Sequence, residues 1–365
     1  YPVGDAGETI LAVDVNGGGT LDLAVLDGIS GDLSILLGNG DGTFRPRRDY
    51  SIGIFPHGLA VGDFDRNGVN DFASANSNQS AVVIFGRGDG TFDAKKRVAI
   101  SAAFTINARS IATGDFNADG KADVVAALGD LNSVAVFTGN GNATFGPQTN
   151  YGVGANPRSV KVSDVNADGK QDLVVANPNS SDVSVRLGNG DGTFGAHLRF
   201  TVGTTPHDVA IGDFNGDGKK DLAVACFSAP PLFVLLGNGD GTFGAPQGFA
   251  SGTDLFSSVA VSDFNADGKQ DLAIIKFFSN EVGIMLGNGD GTFPFPTFYS
   301  AGNFSIWVDV GDFNSDGKPD VAVANLTSDN VSVLFGNGNG TFAPRNNYQA
   351  GDNPEHVLVA DFNGD

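Results

Sequence analysis

Residues 258–293 read Ser-Val-Ala-Val-Ser-Asp-Phe-Asn-Ala-Asp-Gly-Lys-Gln-Asp-Leu-Ala-Ile-Ile-Lys-Phe-Phe-Ser-Asn-Glu-Val-Gly-Ile-Met-Leu-Gly-Asn-Gly-Asp-Gly-Thr-Phe. Ser258–Ser262 alternates apolar and small polar residues and stops at Asp263, so it reads as a first strand. Asp271–Ile275 resumes the apolar character beyond an Asp-rich turn and reads as a second. Glu281–Leu286 is a third, closed by a Gly-Asn-Gly-Asp-Gly hairpin turn, and Thr292-Phe293 opens a fourth. No segment shows the apolar period of a helix.

The unit repeats. The Asp-rich motif recurs with its first Asp at 14, 63, 115, 164, 213, 263, 312 and 361, at intervals of 49 to 52 residues. The second motif ends at Phe44, Phe92, Phe145, Phe194, Phe243, Phe293 and Phe342, and a Tyr precedes the first Asp by thirteen residues at Tyr1, Tyr50, Tyr151 and Tyr348. Four short strands in such a period are the signature of a β-propeller blade; a β-helix has a far shorter repeat. The expected fold is all-β, a β-propeller of four-stranded blades forming one domain over residues 1–365, with seven blades. Residues 1–18 and 348–365 are the same part of the unit, so an eight-bladed ring or a partial array are the alternatives. The chain is expected to be part of a longer one, its sole Met being Met285.

Composition narrows the function. The chain has 42 acidic residues against 21 Lys and Arg, a net charge of −21 and 53 Gly, and only Glu8, Glu281 and Glu355 among the acids are Glu. At 41% apolar residues it can bury a core, so the charge does not imply disorder. A polyanion is ill suited to nucleic acid or acidic membranes, and no apolar run is long enough to span a bilayer. Cys226, the single Cys, excludes an internal disulfide and reads as a small buried apolar residue.

The acids are placed to hold cations. In 263–271 side-chain oxygens fall at positions one, three, five and nine, and Gly268 at position six permits a sharp turn. This is the stride of an oxygen-cage calcium loop, whose position seven contributes its carbonyl. The expected ligands are therefore Asp263, Asn265, Asp267, the Lys269 carbonyl and Asp271. Equivalent sets are Asp115, Asn117, Asp119, Lys121 and Asp123, then Asp164, Asn166, Asp168, Lys170 and Asp172. Two more are Asp213, Asn215, Asp217, Lys219 and Asp221, and Asp312, Asn314, Asp316, Lys318 and Asp320. In 63–71 the set is Asp63, Asp65, Asn67, Val69 and Asp71. The first copy has Gly18 at position five and the last ends at Asp365, so about six sites are expected. Hard oxygen ligands favour Ca²⁺, and three carboxylates in nine residues repel one another without a cation. The lysine side chains are expected to point to water and Phe264 into its own blade. Ions so enclosed by protein oxygens are structural, and loops of this kind suit extracellular calcium, placing the protein outside the cell or on its surface.

The second motif reads as a tight turn before a core Phe, although it also resembles a Gly-rich calcium repeat. Its second copy contains Arg87-Gly88-Asp89, an Arg-Gly-Asp triplet whose first reading is a repeat variant. Phe243-Gly244-Ala245-Pro246, with Phe194-Gly195-Ala196 and Phe145-Gly146-Pro147, completes a resemblance to the FG-GAP, or VCBS, repeat of integrin α-subunit propellers and secreted bacterial proteins. That resemblance implies a seven-bladed propeller with calcium in the turns between strands one and two.

Six residues before the first Asp the repeats carry Glu8, His57, Arg109, Arg158, His207, Ser257, Ile306 and Glu355. Strand one should line the central channel, so His57, Arg109, Arg158 and His207 form an arc at its upper mouth. A solvated rim is the first reading; the functional one is a site for an anion, a sugar acid or an acidic partner segment. None of the four His has a neighbouring nucleophile or a metal-spaced partner, and there is no Gly-x-Ser-x-Gly or phosphate loop. With one Trp and five Tyr, no aromatic platform recurs in every blade. The expected function is a calcium-binding extracellular module for protein interaction or adhesion, with a protein or glycan ligand. A carbohydrate-binding or lyase-type catalytic propeller using the upper mouth is the alternative.

Overall fold

Asp123–Leu128, Asp172–Asn177, Asp221–Cys226 and Asp320–Asn325 are buried at every residue, and Asp271–Lys276 at all but its last. A strand can be buried on both faces only between two layers, which is why these segments lack the polar alternation of a solvated sheet. The structure, a computed structural model, describes residues 7–13, 15, 22–27, 31–39, 45–53, 56–76, 80–99, 108–249, 254–277, 279–314, 316–328, 330–349 and 356–359.

The chain folds as a β-propeller. Phe256–Ser262, Asp271–Lys276, Glu281–Met285 and Thr297–Ser300 pair antiparallel in sequence order. Five more four-stranded sheets repeat this order, beginning at Pro56–Gly62, Ala108–Gly114, Ser159–Ser163, Pro206–Gly212 and Ser305–Gly311. A further sheet, of Gly7–Val13, Asp22–Asp27, Asp32–Leu36 and Arg48–Ser51, gains a fifth strand, His356–Val359, which lies parallel to Gly7–Val13. Consecutive first strands touch one another and line the axis. The fourth strands are largely solvent-facing, as the alternating exposure of Leu198–Thr201 shows.

The core is divided among the gaps between sheets. Ala223 and Val234 of one sheet pack with Ile274 and Met285 of the next, and Ala73 and Val83 pack with Val124 and Phe137. Alanine recurs in the second strands because the layers approach closely there. Cys226 is buried and unbridged, and burial pushes its thiol up to about 12, so it is an inert core residue.

The second and third strands differ from the sequence reading by one residue each, ending at Lys276 and Met285, and the other two differ by more. The first strand starts at Phe256, earlier than Ser258, and a bulge interrupts its pairing between Phe256 and Val259. The fourth strand starts at Thr297, not at Thr292. The strand starts four residues after the motif Phe at Leu198 as well, where no Pro intervenes, so the delay is a feature of the repeat and not of Pro294 and Pro296.

Because each gap joins two sheets, loss of one core side chain weakens both. Ile274→Ala is expected to destabilise by about 2–5 kcal/mol. Urea unfolding should show a lower midpoint with one unchanged slope, as a single cooperative transition.

Candidate metal centre

The Asp loops follow one hydrogen-bond plan. In 263–271 the Asp267 N–H donates to Asp263 Oδ1 (3.1 Å) and Asn265 Oδ1 (3.0 Å). The Gly268 N–H donates to Asp263 Oδ2 (2.8 Å) and the Lys269 N–H to Asp267 Oδ1 (2.9 Å). The chain turns tightly enough because positions four and six are left-handed, at φ 58° for Ala266 and 80° for Gly268. Position four is also left-handed at Arg66, Ala118 and Ala167, and position six at Gly68, Gly120, Gly169, Gly218 and Gly317.

Position nine has a second task that the sequence reading missed. Asp271 Oδ2 accepts the Phe264 N–H (2.9 Å) and Oδ1 accepts the Gly287 N–H (2.8 Å), joining the two turns at one end of the blade. Asp71, Asp123, Asp172, Asp221 and Asp320 make the same pair of bonds. So does Asp22, with the Val15 and Gly38 N–H groups, in the loop whose position five is Gly18. The staple therefore persists where the cage is incomplete, and this repeated ninth Asp was its sequence signal. The glycine that donates to it has no room for a side chain: a Cβ on Gly237 would lie 2.1 Å from the Lys220 carbonyl oxygen.

The carboxylates crowd. Asp63, Asp65 and Asp71 place one oxygen each within 4.8 Å of one another, the only such trio among the described residues. Burial pushes the Asp71 carboxyl up to about 7; its two backbone hydrogen bonds oppose this, and the charges of Asp65 and Asp63 add to it. Burial likewise raises Asp123, Asp271 and Asp320 to about 6 and shifts Asp172 and Asp221 upward. A cation among these groups would reverse the penalty on their charged forms.

The expectation that the lysines point to water holds only in part, since their side chains stay partly exposed yet turn back onto the loop acids. Lys121, Lys170, Lys219, Lys269 and Lys318 fold back onto Asp119, Asp168, Asp217, Asp267 and Asp316, with Nζ–Oδ2 distances of 2.7 to 3.3 Å. The ammonium is the nearest counter-charge in these loops, and its hydrogen bond holds Asp119 and Asp316 below the usual carboxylate range. In 63–71, Asn67 and Val69 replace this acid–lysine pair.

Phe264 points into the gap between blades, not into its own. Its ring meets Phe342 of the next blade at 5.4 Å, and its carbonyl accepts the Gly340 N–H (2.9 Å). Phe64 with Phe145, Phe116 with Phe194 and Phe214 with Phe293 repeat the ring contact. The Gly-Asp-Gly turns are hairpins: Asp240 accepts the Thr242 N–H (2.9 Å) and hydroxyl (2.6 Å). Asp89 of the Arg-Gly-Asp triplet holds Thr91 in the same way, and exposed Arg87 lies 3.6 Å from Asp93.

At the opposite end of the first strands, His57, Arg109, His207, Ser257 and Ile306 all occupy bulges, where the ladder skips a residue. A bulge re-aims its side chain, and the sequence carries no sign of it beyond the recurring position. Arg158 and His207 line one cavity of about 210 Å³. Arg109 is half-buried and is not among that cavity's lining; the His57 side chain lies outside the described residues, as do the ends of the first and last Asp loops. Deeper in the channel, buried Asp208 accepts the hydroxyls of Ser159 (2.9 Å) and Ser258 (3.1 Å) and faces Lys161 Nζ at 3.7 Å. Lys161 sits over the Trp307 ring at 5.7 Å. Polar residues recurring at this height of an apolar strand were the overlooked signal.

The FG-GAP-like repeat matches residues 14–74, 63–126, 115–175, 164–224, 213–274, 263–323 and 312–365. No curated protein matches the sequence significantly. Among solved structures, the chain is similar to a lectin from Agrocybe aegerita described as recognising non-reducing terminal N-acetylglucosamine, with a TM-score of 0.63, 20% identity, and 91% of each chain covered. It is similar to the periplasmic gluconolactonase of Pseudomonas aeruginosa at a TM-score of 0.63 and 15% identity, over 94% of this chain and 96% of that one. A protein from Lactobacillus plantarum aligns at a TM-score of 0.66 and 13% identity over the same shares. At these identities the likeness is one of fold.

The staple and the cage can be separated by mutation in excess chelator. Asp271→Ala strands two buried N–H donors and is expected to cost about 2–5 kcal/mol. Asp267→Ala removes a solvent-screened pair with Lys269 and one exposed hydrogen bond from the Lys269 N–H, and should cost far less under the same conditions. Thermal or urea unfolding of both variants checks the order.

Proposed function

The chain belongs to the FG-GAP-like repeat family, and on that premise we propose that it is a calcium-binding, seven-bladed β-propeller acting outside the cell as a protein-interaction or adhesion module. The observation that carries the calcium reading is the 63–71 loop, where three carboxylates close to within 4.8 Å on a backbone already folded around them. In each of the six loops, positions one, three, five and nine would hold the ion together with the position-seven carbonyl. The ion would supply charge neutralisation; the loop's own residues fix the turn, join it to the next hairpin and seal it against the neighbouring blade.

Seven repeat matches support seven blades, as does the seam formed by His356–Val359. That strand pairs beside Gly7–Val13 and touches the first strand Ser305–Gly311, so the duplicated segment sits at the junction of first and last blades. An extracellular setting follows from affinity: loops built of one turn and a few carboxylates match millimolar calcium better than resting cytosol. Adhesive use draws on a rigid disc presenting exposed loops at both ends. Carbohydrate binding or lyase-type catalysis at the upper mouth is the second reading, and the ring-lined cavity between Arg158 and His207 is what favours it.

Ions that bind the folded loops and not the unfolded chain stabilise by mass action. With about six sites, saturating calcium should raise the melting temperature by roughly ten degrees or more over excess chelator, and magnesium should do much less. Identical melting curves in calcium and in chelator would rule the reading out.

A further inference from the structure

Four consecutive sheets converge on the cavity of about 210 Å³ at the channel end remote from the Asp loops. Its wall is divided by chemistry. Arg158, His207 and Ser257 provide the polar side, and Phe277, Phe304 and Trp307 the ring-lined side. We propose that this cavity binds a small aromatic carboxylate, its ring against Phe277, Phe304 and Trp307 and its carboxylate on Arg158 beside His207.

The rings form a continuous arrangement across three blades. His207 stacks on Phe227 at 4.3 Å and 18°, Phe227 lies 4.6 Å from Phe277, and Phe304 meets Phe277 edge-on at 5.3 Å and 74°. Phe304 is held at φ 57°, a left-handed conformation that the equivalent Asn156 adopts at the same angle. Thr205, at the same position of an intervening blade, is also left-handed at φ 51°, so the conformation belongs to a turn that these blades share and Phe304 is the residue that places an aromatic ring on it. The effect is to set a ring at the rim of the cavity. His207 and Ser257 sit on the bulges that recur at this position of the blades, which aim their side chains into the cavity mouth.

The ligand class follows from the wall. A guanidinium matches the two oxygens of a carboxylate in a planar fork, and one such group suits a single negative charge better than a phosphate dianion. His207 Nδ1 lies 3.2 Å from the Ser257 carbonyl, which can only accept, so that nitrogen carries a proton. The Ser257 hydroxyl donates to the Ile306 carbonyl at 2.6 Å. A sugar acid would bury several hydroxyls against a wall with few groups to pair them, whereas an aryl acid presents one polar end and a flat apolar face. The cavity is smaller than pockets for drug-sized ligands, which fits a single ring.

Trp307 is the only Trp in the chain and lines both this cavity and the channel beneath it, so its fluorescence reports binding at this end of the channel and the Arg158 variant assigns the change to this cavity. The full chain is titrated in saturating calcium with phenylacetate, with its neutral counterpart phenylethanol, and with glucuronate. A saturable change with phenylacetate is expected, with phenylethanol about tenfold weaker and glucuronate weaker than phenylacetate. Arg158→Met should weaken phenylacetate about tenfold and remove its advantage over the alcohol. Should that variant fail to fold, the acid–alcohol comparison on the unaltered chain decides. No saturable response to phenylacetate, equal binding of acid and alcohol, tighter binding of glucuronate, or an unaffected folded variant would each overturn the proposal.

Discussion

Each blade depends on one buried carboxylate that binds two backbone N–H groups from different turns. Asp271 and its counterparts receive the first from the turn after strand one and the second from the glycine closing strand three. Both donors are beyond the reach of ladder partners and shielded from water, so leaving them unpaired would be costly. The staple fixes where the second hairpin lies relative to the first. That position brings the Gly-rich hairpin turn of one blade onto the Phe of the preceding Asp loop, as in the Gly340 N–H bond to the Phe264 carbonyl. The same nine residues thereby close a hairpin, join two hairpins and join two blades.

Placing a buried acid there has an electrostatic cost, visible in the raised proton affinities of Asp71, Asp123, Asp271 and Asp320. Two remedies coexist. Five loops hold an ammonium of their own on the position-five acid, and 63–71 gathers three carboxylates without that lysine. On the proposed reading a divalent ion would serve both kinds, since the lysine salt bridges are partly exposed and open readily. Six such ions would offset twelve of the 21 net negative charges, and the acidity of the chain would then be largely ligand charge repeated by blade.

Much of this was legible in the sequence because the repeat is long, regular and built from residues with narrow roles. Apolar runs bounded by Asp and Gly marked the first three strands, and Phe194, Phe243, Phe293 and Phe342 were placed in the core, where they lie. What was not legible depended on neighbours from other repeats. Phe264 was assigned to its own blade because its partner, Phe342, is many residues distant. Lys269 was sent to water because periodicity carries no information on how a flexible side chain folds back. The start of the fourth strand, four residues beyond the motif Phe at both Leu198 and Thr297, carried no mark of its own in the sequence. At the channel mouth, the recurring position of His57, Arg109, Arg158 and His207 was visible, but the bulges that aim such residues and the meeting of Arg158 with His207 required the fold.

The account stands most directly on calcium stoichiometry. Purified chain dialysed to equilibrium against calcium buffers of known activity, from low-micromolar to several-millimolar free calcium, can be assayed by atomic absorption at each step. Binding that rises to about six ions per chain, with one ion lost on Asp115→Ala, is the predicted result. Saturation below one ion per chain, or a stoichiometry indifferent to that substitution, would contradict the account.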